Sequence, residues 1–253
     1  MHGVPSLGVH SSFVAPVTNF RFISVVHRKG SRCGIPSCSM SRISSNSFYS
    51  EFYGHRVEHL EQLDQIIGGG RPRVWLVGDS SLDNKYWILN RAWQESCNGY
   101  QLALEPPRSV PDVCHWMNFL LEQRQSLGDY KIPPGPQVCI NAAVEASTVR
   151  SRLVHGLLPQ DELVRDRLSQ DDTLVISVGG NDIALSPTIL TVVSMLCAVY
   201  GNSLDRIKND PDRIWGMRGI LHVFLDQVQQ YVDQIISKTK PKKVVVCSPY
   251  FLL

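Results

Sequence analysis

Four short apolar runs constrain this chain more than any other feature. Arg73 to Val77, Val138-Cys139-Ile140, Thr173 to Val178 and Val244 to Ser248 are continuous rather than alternating, the pattern of strands buried on both faces. Stretches of helical periodicity lie between them. Strands alternating with helices predict an α/β fold, a three-layer α/β/α sandwich around a mostly parallel sheet. A length of 253 residues with 43% hydrophobic content allows one main domain with a sizeable core.

The helical stretches are legible from spacing. Val57 to Ile67 repeats apolar residues at Leu60, Leu63, Ile66 and Ile67 and stops at Gly68-Gly69-Gly70. Asp79 to about Gln94 reads as a loop and helix, with Leu82, Tyr86, Leu89 and Trp93 as a core stripe rather than a cofactor box. Asp112 to Leu127 is amphipathic, with Val113, Trp116, Met117, Leu120 and Leu121 on its apolar side. Ile132-Pro-Pro-Gly-Pro136 then breaks the chain. A further helix is predicted over Gln160 to Leu168. Ile189 to Tyr200 is apolar enough for a buried helix or a substrate-side insertion, and Asp212 to Ser237 carries a longer pattern started by Pro211.

Charge and cysteine usage exclude several classes. The formal net charge is +2 with no long run of like charges, so no dedicated nucleic-acid surface is expected, and Lys238 to Lys243 reads as a solvated loop. No stretch approaches eighteen apolar residues, so no membrane-spanning helix is expected. The seven cysteines include no CxxC pair, and their odd number fits reduced thiols in a soluble, intracellular protein.

The first fifty residues form a distinct segment. They carry Arg21, Arg28, Lys29, Arg32 and Arg42, no acid, and many serines. That composition predicts either a transit peptide for an organelle such as a chloroplast or mitochondrion, or a tail ahead of a domain spanning 51–253, with Met40 as an alternative start. Cys33 and Cys38 in this segment lack partners at zinc spacing.

The chemistry concentrates at two strand ends. Gly78-Asp79-Ser80 follows the first run, and Gly179-Gly180-Asn181-Asp182 follows the third. Glycine after a strand is often only a tight turn, and Ser or Asp there is a common helix cap. Parallel strands, however, bring their carboxyl ends to one edge of the sheet, so Ser80 and Asn181 can share a site. A serine hydroxyl is a weak nucleophile needing a base, and the tetrahedral anion it forms needs pre-aimed donors. Gly78-Asp79-Ser80-Ser81-Leu82 lacks the second glycine of a Gly-x-Ser-x-Gly elbow, and phosphate-loop and dinucleotide fingerprints are absent.

On these residues the chain, over about 72–250, resembles the SGNH or GDSL-type hydrolases, flavodoxin-like α/β esterases, lipases and carbohydrate deacetylases. The resemblance implies hydrolysis of a carboxylic ester through an acyl-enzyme on Ser80, without metal or organic cofactor. Asn181 would donate its side-chain amide to the oxyanion, with Gly78, Asp79, Gly180 and Asp182 in support. The family's second block, Asn-x-x-x-x-Gly, is matched by Asn141 with Ala146 at the glycine position, whose backbone N–H would be another donor. The implied partner is a small ester or acylated molecule.

An Asp and a His three residues apart follow the last strand in that family, and no such pair follows Val244 to Ser248 here. His222, His115, His155, His55 and His59 are poorly placed to substitute. Three expectations follow: foremost a truncated form of an active esterase, its domain cut short at the carboxyl end; otherwise a ligand-binding protein of the same fold with impaired catalysis, or a hydrolase with a rearranged base.

Overall fold

The computed structural model describes residues 41–88, 92–126, 137–210 and 213–247. The proposed transit segment up to Met40, the Ile132 to Pro136 break, Pro211 and Ser248 lie outside these residues. Among the described residues no helix is long and apolar enough to cross a membrane.

The chain enters through β1 (Ile43–Ser44) and a single turn, α1 (Ser45–Phe48), then α2 (Val57–Ile67) and β2 (Arg73–Gly78). Leu60, Leu63 and Ile67 form the buried stripe of α2, and its buried Asp64 takes Arg73 Nε at 2.6 Å, tying helix to strand. Short pieces follow: β3 (Gln94–Glu95), α3 (Tyr100–Ala103), β4 (Leu104–Glu105) and β5 (Arg108–Ser109). The long α4 (Val113–Ser126) leads to β6 (Val138–Asn141), and α5 (Val149–His155) and α6 (Pro159–Arg167) lead to β7 (Thr173–Ser177). After β7 come α7 (Gly180–Ala184), α8 (Ile189–Tyr200), α9 (Leu204–Asn209) and α10 (Met217–Leu221). A π-helical turn (His222–Gln227) joins α10 to α11 (Val228–Ile235), and β8 (Lys243–Cys247) closes the order.

The central sheet has the order β6-β2-β7-β8, all parallel. The chain runs outward from β2 to β6 and returns across β2 to β7. With right-handed crossovers this reversal places α4 on one face and α5, α6 and α11 on the other. The expected α/β/α sandwich is the architecture found. Trp75, Leu76, Ile140, Leu174 and Ile176 are fully buried in the sheet. Trp75 Nε1 donates to Asp172 Oδ2 at 3.2 Å, and the other carboxylate oxygen takes the Arg73 amide at 2.7 Å, so the buried indole leaves no orphaned donor.

Several elements differ from the sequence reading for identifiable reasons. Residues 79–88 are a series of turns instead of a helix, because Asp83 and Lys85 are drawn inward as a buried pair while Tyr86 reaches out to the Ser50 carbonyl. Trp116 and Leu120 of α4 face outward; Cys114, His115 and Asn118 take the inner face, and Asn118 bridges to β6 through the Cys139 amide (2.9 Å) and carbonyl (3.0 Å). His155 ends α5. Strand β8 is an exposed edge rather than a buried strand, with Val246 52% exposed. The folded unit takes in Ile43, Phe48 and Tyr49, all buried, so the amino-terminal segment gives way to the domain before residue 51.

Helix α8 is inverted. Its hydroxyls Thr191 and Ser194 are buried, while Ile189 is 85% and Tyr200 83% exposed. Close approach of α10 explains the inner face: a Cβ on Gly219 would stand 2.0 Å from Ser194 Oγ, so only small side chains fit between the two helices.

Candidate active site at the ends of β2 and β7

Strands β2 and β7 are neighbours from which the crossovers run to opposite sides, the point at which open parallel sheets leave a crevice. Gly78 ends β2 at φ +141°, and a Cβ there would lie 1.8 Å from the Ser177 carbonyl oxygen. That carbonyl accepts the Asp79 amide at 3.0 Å. The two strand ends are thus in contact, which only glycine at 78 permits.

Beyond Gly78 the backbone turns sharply. The Asp79 carbonyl accepts the Leu82 and Asp83 amides at 3.0 and 2.9 Å. The Asp79 carboxylate takes the Ser81 amide at 3.0 Å and hydroxyl at 2.8 Å; burial raises its pKa and these bonds oppose the rise. Ser81 Oγ also reaches Ser177 Oγ at 2.7 Å. Ser80 stands at the corner of this turn, half-buried, in a cleft of about 460 Å³ whose walls include Asp79, Asn84, Trp87, Gly180 and Asn181. Both strand-end motifs therefore meet in one cleft.

Asn181 is buried in α7, and its amide nitrogen donates to the Ser147 carbonyl at 2.9 Å. A side-chain amide has two N–H groups, which leaves one for a ligand oxygen. Asp182, next along, points away and accepts the Val149 and Arg150 amides at 2.8 and 2.9 Å, capping the start of α5; burial raises its pKa first, and the two amides offset it.

Ala146 has φ +57°, a left-handed conformation that favours glycine. It does not line the cleft wall. It adjoins Ser147, whose carbonyl holds Asn181. Asn141 anchors the same region, donating to the Leu82 carbonyl at 2.9 Å and accepting the Ala143 amide at 3.0 Å.

None of the described histidines lines the cleft. His55 is buried, its Nδ1 2.7 Å from the Phe48 carbonyl, and burial followed by the nearby Lys85 lowers its pKa to about 3. His115 Nδ1 faces Ser109 Oγ at 2.9 Å. His222 pairs with Asp226 at 2.7 Å and borders a separate cavity of about 180 Å³, on the Asp182 side of α7.

Four contributors escaped the sequence reading. Trp87 lines the cleft and donates to Glu145 Oε2 at 2.9 Å, where burial raises the carboxyl pKa. Asp83 and Lys85, 2.5 Å apart and inaccessible, brace the turn below Ser80, with Asp83 Oδ2 also taking the Glu145 amide at 2.8 Å. No short motif marks such residues, since their partners lie far away in sequence. Among the described residues no group of three or more His, Cys, Asp or Glu side chains is arranged to hold a metal ion. No family model matches the chain, and no curated protein or solved structure is significantly similar to it.

Proposed function

We propose that this protein is a serine hydrolase acting on carboxylic esters, of the SGNH type, with Ser80 as nucleophile and Asn181 as an oxyanion donor. The observation carrying this reading is that Ser80 and Asn181, far apart in sequence, line one cleft at the reversal point of the sheet. An attacked carbonyl in this cleft would become an oxyanion beside the Asn181 amide, with the backbone N–H of Ser80 as a further donor; Ala146, outside the cleft wall with its N–H engaged by the Glu145 carboxylate, is not assigned that role.

A second reading has its own support. No described histidine borders the cleft, so a protein that binds an acylated or sugar ligand without turnover fits the same walls. Hydrolysis of a short-chain p-nitrophenyl ester separates the two. Hydrolase action predicts product release abolished in Ser80→Ala and reduced about 10²- to 10³-fold in Asn181→Ala, with little change in Tm. Ester-dependent thermal stabilisation of the wild type without product supports binding alone and overturns the hydrolase reading.

A further inference from the structure

Arg152 in α5 is a cation with no accessible surface. Its Nε donates to Asp161 Oδ2 at 2.7 Å, its Nη2 to the Gly78 carbonyl at 2.8 Å and its Nη1 to the Thr148 carbonyl at 3.3 Å. Tyr231, also fully buried, donates its hydroxyl to Asp161 Oδ1 at 2.6 Å and lays its ring 5.1 Å from the guanidinium carbon. Helices α5, α6 and α11 thus converge on one carbonyl at the end of β2.

We propose that Arg152 is a positioning residue of the Ser80 cleft, its guanidinium bridging the Gly78 and Thr148 carbonyls so that the strand end carrying Ser80 is locked to the loop carrying Ala146 and Ser147. The inference rests on the hydrolase reading for its catalytic consequence and on geometry alone for the locking.

Burying an ion pair is expensive, and a packed apolar cluster of similar volume is commonly as stable. What apolar side chains cannot do is hold two carbonyls from separate segments in fixed register, which a planar guanidinium with donors in a rigid fork can. The Gly78 carbonyl also accepts the Val144 amide at 3.0 Å and Ser147 Oγ at 3.2 Å, both from the same loop. The peptide it belongs to donates its N–H, that of Asp79, to Ser177 at 3.0 Å. That peptide is therefore fixed on both sides, one residue before Ser80. From Thr148 the path continues to Ser147, whose carbonyl holds the Asn181 amide at 2.9 Å. A single buried cation thus controls the spacing of both groups assigned to the chemistry.

Two variants test this. Arg152→Lys keeps the charge but offers a point donor that cannot bridge both carbonyls; Tyr231→Phe keeps the ring and removes only the hydroxyl that orients Asp161. Backbone hydrogen exchange, read by mass spectrometry on the full chain, is expected to quicken about tenfold or more in peptides covering 78–83 and 142–149 of Arg152→Lys, as for loss of a charge-assisted bond, while those from β7 and α2 stay unchanged. Tyr231→Phe should move the same peptides less, and it carries the test should Arg152→Lys not fold. With a fluorophosphonate probe, the limiting rate of Ser80 labelling should fall about tenfold at unchanged half-saturation, since misplaced reacting groups lower rate rather than affinity. Unchanged exchange, or acceleration spread evenly over the sheet, overturns the positioning role. Altered local exchange in a protein whose wild type is not labelled at Ser80 upholds the lock and overturns the hydrolase reading instead.

Discussion

Replacing Gly78 by alanine tests the contact on which the whole cleft depends. The new Cβ would sit 1.8 Å from the Ser177 oxygen and 2.7 Å from its carbonyl carbon, both backbone atoms of the neighbouring strand, so no rotamer change relieves the clash. A left-handed φ of +141° adds strain of about 1–2 kcal/mol for a residue with a Cβ. Overpacking costs roughly 1–3 kcal/mol, and weakening of the Asp79 to Ser177 bond about another 0.5–1.5 kcal/mol. Together these place Gly78→Ala about 2.5–6.5 kcal/mol below wild type, a large share of the roughly 5–15 kcal/mol that holds a domain folded. Urea titration followed by tryptophan fluorescence should show a lower midpoint with little change in slope. A loss below about 1 kcal/mol would mean that β2 and β7 separate freely at this end, and the reasoning about a closed crevice would fail.

Other residues carry sharper but smaller expectations. Asp112 is buried, and that burial pushes its carboxyl up to about 7 from an ordinary 3.8, so the folded state holds the proton more tightly and stability declines as pH rises between those values. Asp112→Asn should therefore gain on wild type, by up to about 3 kcal/mol between pH 5 and pH 8 in urea titrations, whereas a pH-independent difference would remove burial as the cause. Lys85→Met strands the inaccessible Asp83 carboxylate and should cost about 3–5 kcal/mol by the same assay; a neutral result would deny the pair its bracing role. On the inverted α8, Ser194→Leu should cost roughly 1–3 kcal/mol against Gly219, and the larger but outward Leu196→Ser less than about 1 kcal/mol. The opposite order in thermal melts would contradict the helix's orientation.

The sheet was legible because continuous apolar runs have few other uses, and all four are parallel strands in the structure. Helix α2 was legible from spacing for the same reason. The turns over 79–88 were not, because Leu82 and Tyr86 have helical spacing yet the intervening Asp83 and Lys85 are bonded to the backbone of Gly54, a contact invisible in local pattern. Helix α8 was found with correct bounds, but its face was not: apolar residues predict burial, and the close fit to α10 turns them outward. In the cleft, Ser80 and Asn181 announced themselves through adjacent glycines. Arg152, Asp161 and Tyr231 gave no signal, since a buried charge network is defined by which helices meet and not by any spacing along the chain.

The central claim is that Ser80 is the reactive group of an oxyanion-stabilising cleft. Its most direct test is peptide mapping of the covalent adduct after a fluorophosphonate probe is added to the full chain, wild type beside Asn181→Ala. The account predicts one adduct, on Ser80, forming markedly more slowly when Asn181 is lost. An adduct on Ser81 or elsewhere, equal rates in the two proteins, or no adduct at all would contradict it.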